Sequence, residues 1–253
     1  MLTKNQLKLL RALRHKKYRD QHRLFLAEGI KVVQDLMDAS FPIEEIFATT
    51  TWIEKHAQTI HQIPLNCVTE KELQQISTLK TPHQVVATCP LKQAVKKEVL
   101  PLLVKQQITL YLDAIRDPGN LGTIIRTANW FGITHLFCSP DTVDQYNPKV
   151  VQATMGALAG VNLTYITAEE LFSKHPKEVP IYGMSLTGTA IHTIQPPQNG
   201  ILIIGSESHG ISEEINKWVT HQITIPSATP GKTQAESLNA AIAASIALYH
   251  FCQ

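Results

Sequence analysis

Cysteine is sparse in this 253-residue chain. The four present, Cys67, Cys89, Cys138 and Cys252, lie far apart and form no Cys-x-x-Cys pair. That excludes zinc-ligand spacing and argues against a disulfide framework, so no metal is expected. The thiols are expected to be reduced and mostly buried, as in a cytosolic protein. Long apolar runs are missing too: the longest, around residues 240–249, is too short to span a bilayer. The first residues are polar and basic, so neither a signal peptide nor a membrane partner is expected. No Gly-x-Gly-x-x-Gly follows a strand, which leaves a Rossmann dinucleotide site unsupported. Internal repeats and low-complexity segments are absent. What is there is ordinary for a globular protein, with 43% hydrophobic and 17% charged residues in a length that suits one large domain or two modest ones.

The net charge of +2 hides an asymmetry. Eight of the 23 Lys/Arg and one of the 21 acids, Asp20, lie in residues 1–26, which leaves 15 bases, 20 acids and a net of −5 for the remainder. A basic front end on an acidic body points to a phosphate-bearing partner. A solvated amphipathic helix would give the same pattern.

Periodicity predicts a helix over residues 2–17, with Leu2, Leu9, Leu10 and Leu13 as its apolar stripe. A small α/β unit follows: strands at 23–27, 43–49, 65–68 and 84–89, and helices at 29–39, 54–61 and 70–76. Pro90, Pro101 and a lysine-rich middle mark 91–107 as a linker between domains 1–90 and 108–253. The second domain alternates regularly. Strands are expected at 108–113, 134–138, 181–185, 201–205 and 222–226. Helices are expected at 120–130, 148–158, 213–219 and 236–251. Such alternation implies a parallel sheet covered on both faces, with ligands beyond the carboxyl ends of its strands.

Three of the loops at those ends have unusual sequences. The first runs from Asp117 to Gly122, with Asn120 as a helix cap and Arg126 on the following helix between Ile125 and Ala128, its stem expected to be partly buried. The second, Gly205-Ser-Glu207-Ser-His-Gly210, brackets a carboxylate with glycines that let backbone approach a ligand. His209 is expected to be a loop residue rather than a base. The third spans 225–239 and contains Gly231-Lys232-Thr233, which mimics the end of a P-loop. A P-loop needs glycine five residues earlier, where this chain has Pro226, a residue with no N–H for a phosphate. ATP is not expected to bind there.

Taken together, Asn120-x-Gly122-x-x-x-Arg126, Gly205-x-Glu207-x-x-Gly210 and Ile225-Pro226…Gly231…Glu236-Ser237-Leu238-Asn239 resemble the three signature motifs of the SpoU–TrmH branch of the SPOUT methyltransferases. The front end, from Arg23 to Gly29, is similar to the start of an L30e-like RNA substrate-binding domain. The resemblance implies an α/β fold: a C-terminal SPOUT domain with a parallel sheet and a deep trefoil knot, preceded by a small L30e-like α/β domain. It implies S-adenosylmethionine as cofactor, held near Ser185, Leu186, Gly205, Glu207, Gly210, Ile225 and Leu238. It implies Arg126 as the catalytic arginine, helped by Asn120, Glu207, Ser237 and Asn239. It further implies a cytoplasmic homodimer that methylates a ribose 2′-OH in RNA, with a guanosine of ribosomal RNA favoured over transfer RNA. One departure stands out: four residues separate the Ile-Pro pair from Gly231, and four more precede Glu236, where the family usually has two in each place. Two other readings compete. A non-catalytic RNA-binding protein could keep the fold but would not need Arg126, Glu207 and Ser237 together, and an NTPase would need the missing P-loop glycine.

Overall fold

The computed structural model describes residues 1–58, 60, 63–93, 95, 97–228 and 236–253. Along the chain the elements begin with α1 (Lys4–Ala12), α2 (Lys16–His22), β1 (Leu24–Glu28), α3 (Ile30–Asp38), β2 (Glu45–Ala48), α4 (Thr50–His56), β3 (Leu65–Cys67), α5 (Glu70–Ile76) and β4 (Val85–Pro90). They continue with α6 (Leu100–Gln106), β5 (Ile108–Leu112), α7 (Pro118–Trp130), β6 (His135–Cys138), α8 (Pro148–Thr154), β7 (Asn162–Tyr165) and α9 (Ala168–Phe172). The last are β8 (Ile181–Ala190), β9 (Gly200–Ile204), α10 (Glu213–Asn216), β10 (His221–Thr224) and α11 (Ala240–Phe251). The chain divides into two compact units, residues 1–93 with 144–160, and residues 94–143 with 161–253.

In the first unit a four-stranded sheet has the order β1-β4-β2-β3, antiparallel except between β2 and β3. Leu10 and Leu13 of the predicted stripe are buried with Leu26, Phe47, Val68, Leu73, Ile76 and Val86. Thr3 starts α1 with a capping box to Gln6, and Thr69 starts α5 with another to Glu72. The single helix expected over 2–17 is in fact two, and Arg19 accounts for the break. Its guanidinium, 3% exposed, donates to the carbonyls of Leu13 and Arg14 at 3.0 and 2.9 Å and pairs with Asp144. The carbonyls that a continuing helix would have used are thus satisfied by a side chain. Arg11 and Arg14 likewise donate to the carbonyls of Gln75 and Ser77. Three of the eight front-end bases therefore serve the fold.

Residues 144–160, expected within the second domain, pack with the first unit. Tyr146 is buried with its ring centroid 4.8 Å from that of Phe25, and its hydroxyl accepts from the Lys92 N–H at 2.9 Å. Gly156, at a φ of +85°, comes so close to α3 that a Cβ would lie 2.2 Å from the Asp35 Cβ.

The second unit holds a six-stranded sheet, β10-β8-β9-β5-β6-β7, parallel throughout. Every residue of β5 and β9 is buried, as befits central strands covered on both faces. The segment expected to be a linker contains α6, whose Leu100 and Val104 are buried in this unit's core. Pro101 sits in the first turn, where a missing N–H costs nothing. Strand β7 and helix α9 carried too little periodicity to be expected. Cys89 and Cys138 are buried, Cys252 is half-buried and Cys67 is exposed; all four are free thiols. No helix among the described residues is long and apolar enough to cross a membrane.

Candidate active site

Neighbouring strands β5 and β9 lead away in opposite directions, β5 toward β6 and β7, β9 toward β8 and β10. A parallel sheet opens a crevice at the carboxyl ends of such a pair. Both strands end there in candidate loops. Asp117, not Asn120, caps α7: its carboxylate accepts from the Asn120 N–H at 2.8 Å. The correction follows from Pro118, which needs no hydrogen bond at the first helical position. Freed from capping, the Asn120 side chain reaches Glu207.

Glu207 is the hub of the site. Its Oε1 accepts from Asn120 Nδ2 at 3.0 Å, from Asn239 Nδ2 at 2.5 Å and from the Ala240 N–H at 3.3 Å. Asn239 also donates to Asn120 Oδ1 at 2.9 Å, and its own Oδ1 accepts from the N–H groups of Ala241 and Ile242. Asn239 is therefore the cap of α11, which starts at Ala240 rather than at Glu236. One residue from each motif meets in this cluster. The turn bearing Glu207 is closed by two backbone hydrogen bonds between Ser206 and Gly210, at 3.0 and 2.8 Å.

A cavity of about 740 Å³ opens beside the turn. Ser185, Leu186, Gly205, Glu207, Gly210, Ile225, Ser237 and Leu238 all line it. One feature marks it as a ligand cradle. A Cβ on Gly205 would lie 2.1 Å from the Gly210 carbonyl carbon, so only glycine admits this close approach. Gln222 also lines the cavity, its Nε2 donating to Asn216 Oδ1 at 2.6 Å. A second cavity of about 710 Å³ shares the 206–210 turn. Asp113, Asp117, Asp141 and Glu214 make its lining rich in acceptors. Burial raises the Asp113 carboxyl above its ordinary range, against the pull of the Ser212 N–H that it accepts at 2.7 Å. Sequence patterns missed this second cavity, because these acids come from three separate segments.

Arg126 stands apart from the cluster. It is exposed on α7, lines neither cavity and forms no hydrogen bond or ion pair with another described residue. Its stem was expected to be partly buried, but its flanking partners Ile125 and Ala128 turn inward while it turns out. Nor does Glu207 contact it. His209 lies on the turn, its Nδ1 2.7 Å from Ser208 Oγ. Gly231-Lys232-Thr233 lies outside the described residues. No group of three metal-ligating side chains occurs among the described residues.

Residues 107–249, more than half of the chain, match the SpoU rRNA Methylase family. The chain belongs to that family. Residues 4–87 of this SpoU rRNA methylase match the MRM3-like substrate binding domain. It is similar to a solved TrmH-family protein from Porphyromonas gingivalis, with 35% identity, a TM-score of 0.86 and coverage of 99% of this chain and 98% of that one. An AdoMet-bound rRNA methyltransferase from Sinorhizobium meliloti is 30% identical, with a TM-score of 0.84 over 99% and 95% of the two chains. Among curated relatives, the 23S rRNA (guanosine(2553)-2′-O)-methyltransferase RlmP of Bacillus subtilis is 28% identical over 98% of this chain and 96% of that protein.

Proposed function

We propose that this SpoU-family enzyme methylates a ribose 2′-OH in RNA with S-adenosylmethionine, and that the target is a guanosine of ribosomal RNA. The observation that carries the reading is the 740 Å³ cavity walled by the second and third motifs and pinned by Asn120, Glu207 and Asn239. Its size suits a cofactor of this kind. Leu186, Ile204, Ile225 and Leu238 offer apolar walls, and Gly205 offers backbone at close range. When bound, the cofactor supplies an electrophilic methyl group on a sulfonium.

The chain's residues must position the hydroxyl and hold the charge that develops on its oxygen. A guanidinium offers five N–H donors and no acceptor, so Arg126 is assigned as a stabiliser of the forming alkoxide rather than as the base. Ser237, exposed on the cavity wall, offers a hydroxyl to the same oxygen. Asn120, Glu207 and Asn239 fix the turn between the two cavities. The acceptor-rich second cavity suits a guanine, whose N–H edge donates.

A second copy of the chain completes this site. Trp130 on α7 and Ile242, Ile246 and Tyr249 on α11 are exposed apolar residues on two adjoining helices, joined where Thr127 Oγ1 meets Ser245 Oγ at 3.2 Å. Arg126 is one turn from Trp130, so a partner that covers the stripe encloses the arginine as well. In the proposed SPOUT dimer each C-terminal segment forms a trefoil knot, and the first unit is an L30e-like RNA-binding domain. The cytoplasm, where thiols stay reduced, is the assigned compartment. Ile246→Arg is expected to convert a dimer to a monomer in sedimentation equilibrium and to silence methyl transfer. A wild-type monomer, or a dimeric and active variant, refutes the assignment.

The function itself is tested with radiolabelled S-adenosylmethionine, ribosomal RNA from a strain deleted for this protein, and the purified chain. The label is expected in an alkali-resistant dinucleotide, because a 2′-O-methyl group removes the nucleophile that cleaves RNA. Label in transfer RNA instead would overturn the ribosomal target, and label on a base would overturn ribose methylation.

A further inference from the structure

Tyr18 is the one exposed Trp, Tyr or Phe among the described residues of the first unit. It stands on α2 among exposed basic residues, with Lys16 and Lys17 before it and His22 and Arg23 after it, and Lys16 Nζ is paired with Asp20 at 2.9 Å. The Lys17 Nζ lies 5.9 Å from the tyrosine ring centroid, and the His15 ring meets it edge-on at 6.5 Å. The very next residue, Arg19, is buried and tied to the carbonyls of Leu13 and Arg14 and to Asp144. The helix is therefore anchored through one face while it presents an aromatic ring and cations on another. Tyr18 is 38% exposed, more than the other aromatics of this unit, and among the described residues its ring contacts are with His15 and Lys17. An aromatic face set among cations matches unpaired RNA, whose base can stack while its phosphates meet the charges. A base inside a duplex is already stacked and has no free face to offer.

We propose that residues 15–23 form a docking surface for an unpaired RNA nucleotide, with its base stacked on Tyr18 and flanking phosphates against Lys17 and Arg23. The inference rests on the RNA-methylation reading and adds to it a substrate contact far along the chain from the three motifs. It also gives the front-end bases separate roles, since Arg11, Arg14 and Arg19 hold the fold while Lys17 and Arg23 face RNA.

The test uses the full-length protein and two fluorescein-labelled probes, a 12-nucleotide oligouridylate and a 12-base-pair RNA duplex, read by anisotropy. Tyr18→Ala is expected to weaken oligouridylate binding about 5- to 100-fold, from the loss of one stacked base, with duplex binding unchanged. Tyr18→Trp is expected to retain affinity. Lys17→Gln is expected to lower the slope of log affinity against log salt by about 0.7, the share of one single-strand phosphate contact, whereas Tyr18→Ala leaves the slope alone. Equal oligouridylate binding by Tyr18→Ala and wild type overturns the proposal, and so does an equal loss on both probes. Methyl transfer is assayed in parallel. A wild type that binds oligouridylate through Tyr18 but methylates no RNA would refute the methylation reading and leave the docking surface standing.

Discussion

Arg126→Ala is expected to lower kcat for methyl transfer by about 10²–10³-fold, the cost of removing one preorganised donor from a developing oxyanion. Affinity for S-adenosylmethionine should stay near the wild-type value, because Arg126 lines neither cavity. Arg126→Lys keeps the charge but loses the planar fork, so an intermediate rate is expected. Single-turnover rates on ribosomal RNA and calorimetry with the cofactor separate the two effects. A normal rate in the alanine variant would remove Arg126 from the mechanism, and lost cofactor binding would move it into the cofactor site.

Gly205→Ala should instead strike the cofactor. The new methyl would lie 2.1 Å from the carbonyl carbon of Gly210, 2.2 Å from its oxygen and 2.4 Å from the Ile211 nitrogen. All three are backbone atoms, so the 206–210 turn must move. Overpacking of this kind costs about 1–3 kcal/mol, which a stable chain survives. The displaced turn carries Glu207 out of register with Asn120 and Asn239, and a loss of cofactor affinity of at least about 100-fold, roughly 2.7 kcal/mol, is expected by calorimetry. Gly210→Ala is the control. Its Cβ would meet nothing within 4 Å, and only its φ of +64° opposes the change, at a cost of about 1–2 kcal/mol. Equal cofactor affinity in Gly205→Ala and wild type would show that the turn does not shape the cavity.

The first two motif loops were legible because each follows a buried strand whose apolar run is unmistakable, and turn chemistry marks where the strand stops; the third follows β10, which has one buried residue, and is read from its own motif. What escaped detection depends on distant partners. That Arg19 would break a helix and leave the basic patch could be seen only once Asp144, 125 residues away, was beside it. The same distance hid the allegiance of α8, whose sequence suits either unit. Asn120 was mistaken for a cap because Asp117 and Asn120 are both good cappers, and Pro118 decides between them only with the backbone in view. The orientation of Arg126 was misjudged for a subtler reason. Apolar neighbours in sequence flank it, but on a helix residues i and i+1 diverge by about 100°. Of residues 227–235, where this chain departs in length from its family, 229–235 lie outside the described residues.

The insertion of residues 144–160 has a consequence for biosynthesis. The chain enters the first unit, leaves it after residue 93, returns at 144 and leaves for good after 160. A ribosome that has released residue 93 has therefore not released a finished domain. Arg19 waits for Asp144, and Phe25 waits for Tyr146, through another stretch of synthesis at about 5–20 residues per second. During that interval a buried-type guanidinium and an aromatic face are open to water and to chaperones. No single proteolytic cut can free either unit intact, and the first has all of its residues only once the chain has been made through residue 160.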